Sequence, residues 1–147
     1  MKREKKMVQL SIIKESMSMK FHHVAITVSD MERSIEFYKS VFGFQEIERL
    51  ERKDLECIQV FLQLGFMRLE LFCFQDLVSD VVSCHELKSI GIRHLAFEVD
   101  DLEFEIQHLR SLGLMIGDSK IGRVSRKYVF FNDPDGIVLE LFESKKS

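Results

Sequence analysis

Apolar side chains alternate with polar or small ones over 21–28 (Phe-His-His-Val-Ala-Ile-Thr-Val) and again over 92–99 (Ile-Arg-His-Leu-Ala-Phe-Glu-Val). Alternation of this kind predicts two strands, Phe21–Val28 and Ile92–Val99, each with one apolar face. After each strand the period lengthens. Met31, Ile35, Tyr38 and Phe42 recur at steps of 4, 3 and 4, and Leu102, Ile106 and Leu109 repeat the stripe. Such spacing puts one buried stripe along a helix. Ser29 with Glu32, and Asp100 with Glu103, have the spacing of a capping box, and Gly43 and Gly113 stand where the helices stop. Further strands follow. Cys57–Leu64 and Phe66–Phe74 are separated at Gly65, and Lys127–Phe131 and Ile137–Phe142 flank the turn-forming Asp133-Pro134-Asp135-Gly136.

These matching patterns are one pattern used twice. Shifted by 71 positions, His23-Val-Ala-Ile-Thr-Val-Ser-Asp-Met-Glu32 falls on His94-Leu-Ala-Phe-Glu-Val-Asp-Asp-Leu-Glu103. A single deletion near Gly113 lowers the offset to 70, and Leu69-Glu-Leu-Phe72 then falls on Leu139-Glu-Leu-Phe142. Two matched blocks joined by one consistent gap define a duplicated unit of βα followed by two or three strands. The fold class is therefore α+β, with mixed sheets backed by helices. Module one runs over about 21–88 and module two over about 92–143, within a single domain, 21–147. Residues 1–20 read as a frayed extension or an over-long start.

Parity assigns the chemistry. Residues two apart on a strand share a face. Val24, Ile26 and Val28, with their copies Leu95, Phe97 and Val99, suit the unit's own helix, as do Leu69, Leu71, Leu139 and Leu141. His23, Ala25 and Thr27 point the other way, and so do His94, Ala96 and Glu98. Glu70 and Phe72, and their copies Glu140 and Phe142, share that outward side. Pairing the repeats by a pseudo-twofold is expected to curl these faces around one cleft holding His23, Glu70, His94 and Glu140. Two imidazoles and two carboxylates suit Zn, Ni, Co, Mn or Fe(II) and leave water positions in a six-coordinate shell. Ala25 and Ala96 leave room beside the metal for a small-molecule substrate, walled by Phe72, Phe142, Phe74 and Phe130.

Composition narrows the alternatives. The chain has 147 residues, 46% hydrophobic and 31% charged, enough for one packed core. Its net charge is −3, and since residues 1–20 carry +4, the remainder stands at −7. That acidity argues against nucleic acid, and no apolar run reaches the roughly 18 residues of a membrane span. Cys57, Cys73 and Cys84 form an odd set without CxxC spacing, as expected of a reducing cytoplasm. Cys73 shares the parity of the core leucines. His22 is expected to point away from the ligand face, His108 to face solvent, and His85 to lie in an irregular segment over 75–89.

The segments HHVAITVSDMERSIEFYKSVFGF, RLELF, RHLAFEVDDLE and FFNDPDGIVLELFE resemble the vicinal-oxygen-chelate superfamily, and within it glyoxalase-I-like proteins, over about 21–143. The resemblance implies two βαβββ modules forming a curved mixed sheet around a metal cleft, in many members as a homodimer. In some the cleft forms within a chain, in others between two. It places the divalent metal on His23, Glu70, His94 and Glu140. The reaction implied is that of a lyase or isomerase: proton transfer next to a carbonyl, through a metal-stabilised enediolate. Glu140 is then the base and Glu70 its partner in the reverse transfer. Thr27 stands where glutathione-using glyoxalase I carries an arginine. Lys120, Arg123, Arg126 and Lys127 are candidates for an anionic substrate tail, and Glu98 for an extra acid or rim carboxylate. The alternatives are a drug-binding module like the resistance members, and an Fe(II) ring-cleaving dioxygenase.

Overall fold

A computed structural model of the chain describes residues 20–78, 88, 90–122 and 126–143. Residues 1–19, which hold nearly all of the expected extension, and Cys84, His85 and Arg123 lie outside the described residues. Module one contains β1 (Val24–Thr27), α1 (Met31–Phe42), β2 (Gln45–Arg52), β3 (Cys57–Leu64) and β4 (Met67–Phe74). Module two contains β5 (Leu95–Val99), α2 (Leu102–Ser111), β6 (Lys120–Ile121), β7 (Lys127–Asn132) and β8 (Val138–Glu143). The fold is α+β, and each module keeps its own four-stranded mixed sheet, ordered β1-β4-β3-β2 and β5-β8-β7-β6. The opening strand of each runs parallel to the closing one, and the other pairings are antiparallel.

Three local expectations shift. The opening strands begin at Val24 and Leu95, so His23 and His94 sit just ahead of them rather than inside them. The helices are capped one residue later than the capping-box spacing suggests: Asp30 and Asp101 accept from the backbone N–H of Arg33 and Phe104. Both are acids competent at that position, and Ser29 is engaged elsewhere. Finally β2, Gln-Glu-Ile-Glu-Arg-Leu-Glu-Arg, is an exposed edge strand whose charged positions hid it from a search for apolar runs.

The apolar faces of both sheets feed one core. Leu69, Leu71, Leu139 and Leu141 are buried, together with the helix stripes Met31, Ile35 and Tyr38, and Leu102, Ile106 and Leu109. Phe42, at the end of α1, crosses between modules and stacks on Phe97 of β5 at 4.1 Å between centroids. The turn before β8 fastens the other end of α1. Tyr38, fully buried, donates its hydroxyl to Asp133 Oδ2 at 2.9 Å. Asp133 Oδ1 accepts from the backbone N–H of Asp135 and Ile137 at 2.9 and 2.8 Å. Asp135 in turn accepts from Ser29 N at 3.0 Å, from the Ser29 hydroxyl, and from Arg33 Nη2 at 2.9 Å. Burial pushes the Asp133 carboxyl above its ordinary value despite these donors, and burial, followed by the neighbouring Asp133 charge, pushes the Tyr38 phenol up. Among the described residues, no helix is long and apolar enough to cross a membrane.

Candidate metal centre

Parallel pairing sets Ala25 opposite Glu70 in module one and Ala96 opposite Glu140 in module two. In both, the methyl group leaves space over the carboxylate, and the histidine one turn of strand earlier reaches it. His23 Nε2 lies 3.0 Å from Glu70 Oε2, and His94 Nε2 lies 2.9 Å from Glu140 Oε2. Each imidazole meets a phenyl edge from the neighbouring strand, Phe61 at 5.6 Å and Phe130 at 5.2 Å between centroids. The duplication seen in the letters is therefore a duplication of side-chain geometry.

The surroundings of the two pairs differ. Glu70 is buried, and its second oxygen accepts from Gln59 Nε2 on β3. Gln59, itself buried, accepts in turn from Arg52 Nη1 at 3.0 Å, and Arg52 is braced by Asp54. Its hydrogen bonds to the Asp54 carboxylate hold the Arg52 guanidinium above its ordinary value. His22 also joins this side. Its Nδ1 lies 2.8 Å from His23 Nδ1, and Arg68 Nη1 lies 2.7 Å from its Nε2. A guanidinium can only donate, so His22 Nε2 accepts and its Nδ1–H points to His23. The expectation that His22 points away from the ligand face fails because strand parity does not extend to residues ahead of Val24.

In module two the position matching Gln59 is Tyr128: Gln59 pairs with Phe72 as Tyr128 pairs with Phe142. Among the described residues Glu140 has only the His94 contact, and it opens onto a pocket of about 390 Å³ lined by Gly122, Arg126, Tyr128, Phe130 and Phe142. A larger hollow of about 800 Å³, near Arg52, Cys57 and Phe74, includes none of the four candidate ligands.

One expectation is corrected here. Within a single chain the four candidate ligands do not surround one cleft: among the described residues no group of three or more His, Cys, Asp or Glu is placed to hold a metal. They form two separate pairs because the apolar faces of both sheets turn to the shared core, leaving the ligand faces on its outer sides. Each pair by itself fits a cation. A nitrogen and an oxygen bound to one metal at about 2.0–2.2 Å and at right angles lie about 3 Å apart, the separation found in both modules. Two ligands hold a divalent ion only weakly, so a full set needs both kinds of pair.

The remaining predicted site residues separate. Thr27 is exposed on the ligand face, in register with Phe72, which stacks on Phe74 at 6.0 Å. Glu98 is exposed in register with Phe142. Lys120 is exposed on the short edge strand β6, and Lys127 is 3.5 Å from Glu103. Arg126 alone of these described cations enters the pocket beside Glu140. Cys73 is half-buried against the core. Sequence reasoning missed Gln59. The available signal was a buried-strand amide sharing the parity of Phe61, the residue opposite Glu70.

Two βαβββ-like modules, each presenting a histidine–carboxylate pair on the face opposite its helix, define the class. The chain belongs to the Glyoxalase/Bleomycin resistance protein/Dioxygenase superfamily, whose profile matches residues 20–141. It is 35% identical over 124 residues to the uncharacterized protein YwkD of Bacillus subtilis, covering 83% of this chain and 94% of that one. It is 28% identical over 127 residues to human mitochondrial methylmalonyl-CoA epimerase, covering 83% and 72%. The crystal structure of a glyoxalase family protein from Enterococcus faecalis superposes with a TM-score of 0.74 at 32% identity, over 86% of this chain and 98% of that one. A lactoylglutathione lyase from Arabidopsis thaliana is a further relative at 26% identity, and the fosfomycin resistance protein FosX from Listeria monocytogenes shares the fold, with a TM-score of 0.65 at 17% identity.

Proposed function

We propose that this chain is a divalent-metal-dependent lyase or isomerase that moves a proton on the carbon next to a carbonyl, in a homodimer whose site joins His23 and Glu70 of one copy to His94 and Glu140 of another. The observation that carries the reading is the repeated imidazole–carboxylate spacing, 3.0 and 2.9 Å, on the outward face of each module. Outward faces also account for the second copy, since each chain holds half of two sites. When bound, a divalent cation supplies Lewis acidity to two neighbouring substrate oxygens, lowering the cost of removing the adjacent proton.

The protein's own part is to bind, position and accept the proton. Glu140 is the base, because its carboxylate is free of an amide anchor and borders the open pocket. Glu70, fastened by Gln59, serves as the fixed partner. Ala25 and Ala96 admit the substrate. Phe61, Phe130 and Phe142 exclude water, which strengthens every electrostatic contact inside. Proton transfer beside a carbonyl is also the common ground of the epimerase and lyase names among the relatives.

Metal content tests the reading directly. His23→Ala and His94→Ala, each purified alone, are expected to lose the ion. Co-expressed, the two variants should regain about a quarter of the wild-type metal per chain, since half the dimers are mixed and each restores one of two sites. No recovery would overturn the shared site, and retention of metal in either single variant would overturn the ligand assignment.

A further inference from the structure

We infer that Arg126 is the carboxylate-docking residue of the module-two half-site, so that the molecule converted beside Glu140 carries a carboxylate. This rests on the proposed function for the role of Glu140, but the docking needs no metal. Arg126 immediately precedes β7, and its guanidinium carbon lies 5.8 Å above the centroid of the Phe142 ring. Its Nε is buried and, among the described residues, has no hydrogen-bond partner. Together with Glu140 it lines the 390 Å³ pocket. A buried donor without an acceptor is uncommon in folded proteins and marks a place where an acceptor belongs. The described residues supply none: Glu140 is engaged with His94, and Glu103 is engaged by Lys127 and Ser119.

The chemistry of that missing acceptor follows from the stacking. A guanidinium lying over an aromatic face offers its N–H edges sideways, and a planar carboxylate takes such an edge through two parallel hydrogen bonds. A lysine at this point would present only a point charge. The backbone is fixed for the task. Gly122 N–H donates to Arg126 O at 2.8 Å, and a Cβ at Gly122 would stand 3.1 Å from the Tyr128 ring that lines the same pocket. The two halves also differ here. Register makes Cys57 the counterpart of Arg126, two residues before Gln59 as Arg126 is two before Tyr128, and Cys57 is buried and uncharged. A substrate is therefore held charged end toward module two. Lys120, exposed on β6, does not take this part.

The full-length chain, stripped of metal with chelator, is titrated with lactate and with lactamide and followed by amide chemical shifts. Lactate should bind at least about tenfold more tightly than lactamide, with shifts around Arg126 and Phe142. Arg126→Met should abolish the preference, and Arg126→Lys, which keeps the charge and guards against a folding artefact, should reduce it severalfold. Equal binding of the two probes, no lactate binding by the wild-type chain, or a preference that survives Arg126→Met would each overturn the inference. Inorganic phosphate displacing lactate at equal concentration would overturn its restriction to carboxylates. Because the titration is metal-free, a chain that holds no metal yet prefers lactate would sink only the proton-transfer reading.

Discussion

Gln59→Leu isolates the one strong difference between the two histidine–carboxylate pairs. The replacement is close in volume and opens little cavity. It removes the donor to Glu70 Oε1 and leaves a buried carboxylate oxygen without a partner. A hydrogen bond to a charged group contributes about 1.5–3 kcal/mol. The second bond lost, from Arg52, costs little because that guanidinium is partly exposed and keeps Asp54. At roughly 4 °C per kcal/mol for a domain of this size, the melting temperature should fall by about 6–12 °C. Metal affinity, read by competition with a chromogenic chelator, should weaken by about 10–100-fold, the usual effect of losing a residue that orients a ligand. Tyr128→Phe, the matching change in module two, should move neither quantity appreciably. The double change Gln59→Leu/Glu70→Leu should recover most of the stability, since no buried carboxylate is left unpaired and the half-exposed His23 can turn to water, while the metal stays lost. A Gln59→Leu chain that melts within about 2 °C of wild type and binds metal normally would refute the reasoning, because the amide would then neither support nor aim Glu70.

Other changes probe the junction between modules. Phe42→Ala removes the 4.1 Å stack on Phe97 and the contact with Phe131, and should cost about 2–4 kcal/mol by urea denaturation; a loss below about 1 kcal/mol would deny the crossing ring its role. Tyr38→Phe takes a donor from buried Asp133 and should cost about 1–3 kcal/mol in the same assay. Asp133→Asn tests the raised carboxyl. A native value above the unfolded one means the folded chain binds the proton more readily, so this residue's contribution is greatest in acid. It declines as pH climbs through the raised native value. Subtracting the stability of Asp133→Asn from that of wild type should give a difference that falls as pH rises above the ordinary aspartate range, and a rising difference would contradict the burial argument.

Much of this architecture was legible because it was written twice. A histidine two residues before an alanine and a Leu-Glu-Leu triplet, at matched offsets, placed each carboxylate beside the imidazole of its own module, and strand parity put Glu70 and Glu140 in register with Ala25 and Ala96. What escaped notice had physical reasons. Strand β2 lies at an edge, where charge replaces alternation. The caps fell one residue late because two residues able to cap stand side by side at each helix start, Ser29-Asp30 and Asp100-Asp101, and Ser29 is claimed by Asp135 from 106 residues away. His22 turned toward His23 because the pleat begins only after it. The separation of the four ligands was hidden for another reason. An apolar face announces that it will be covered, but not by what, and here the ring that covers Phe97 comes from the other module.

The clasp between Asp133–Asp135 and the start of α1 bears on how such a chain comes into being. A ribosome has released β1 and α1 long before the acids that cap their polar groups exist, so the first half waits with Tyr38 and Ser29 unsatisfied until the second half emerges. The two repeats are thereby tied into one unit, since the acceptors for Ser29 and Tyr38 of the first lie in the second.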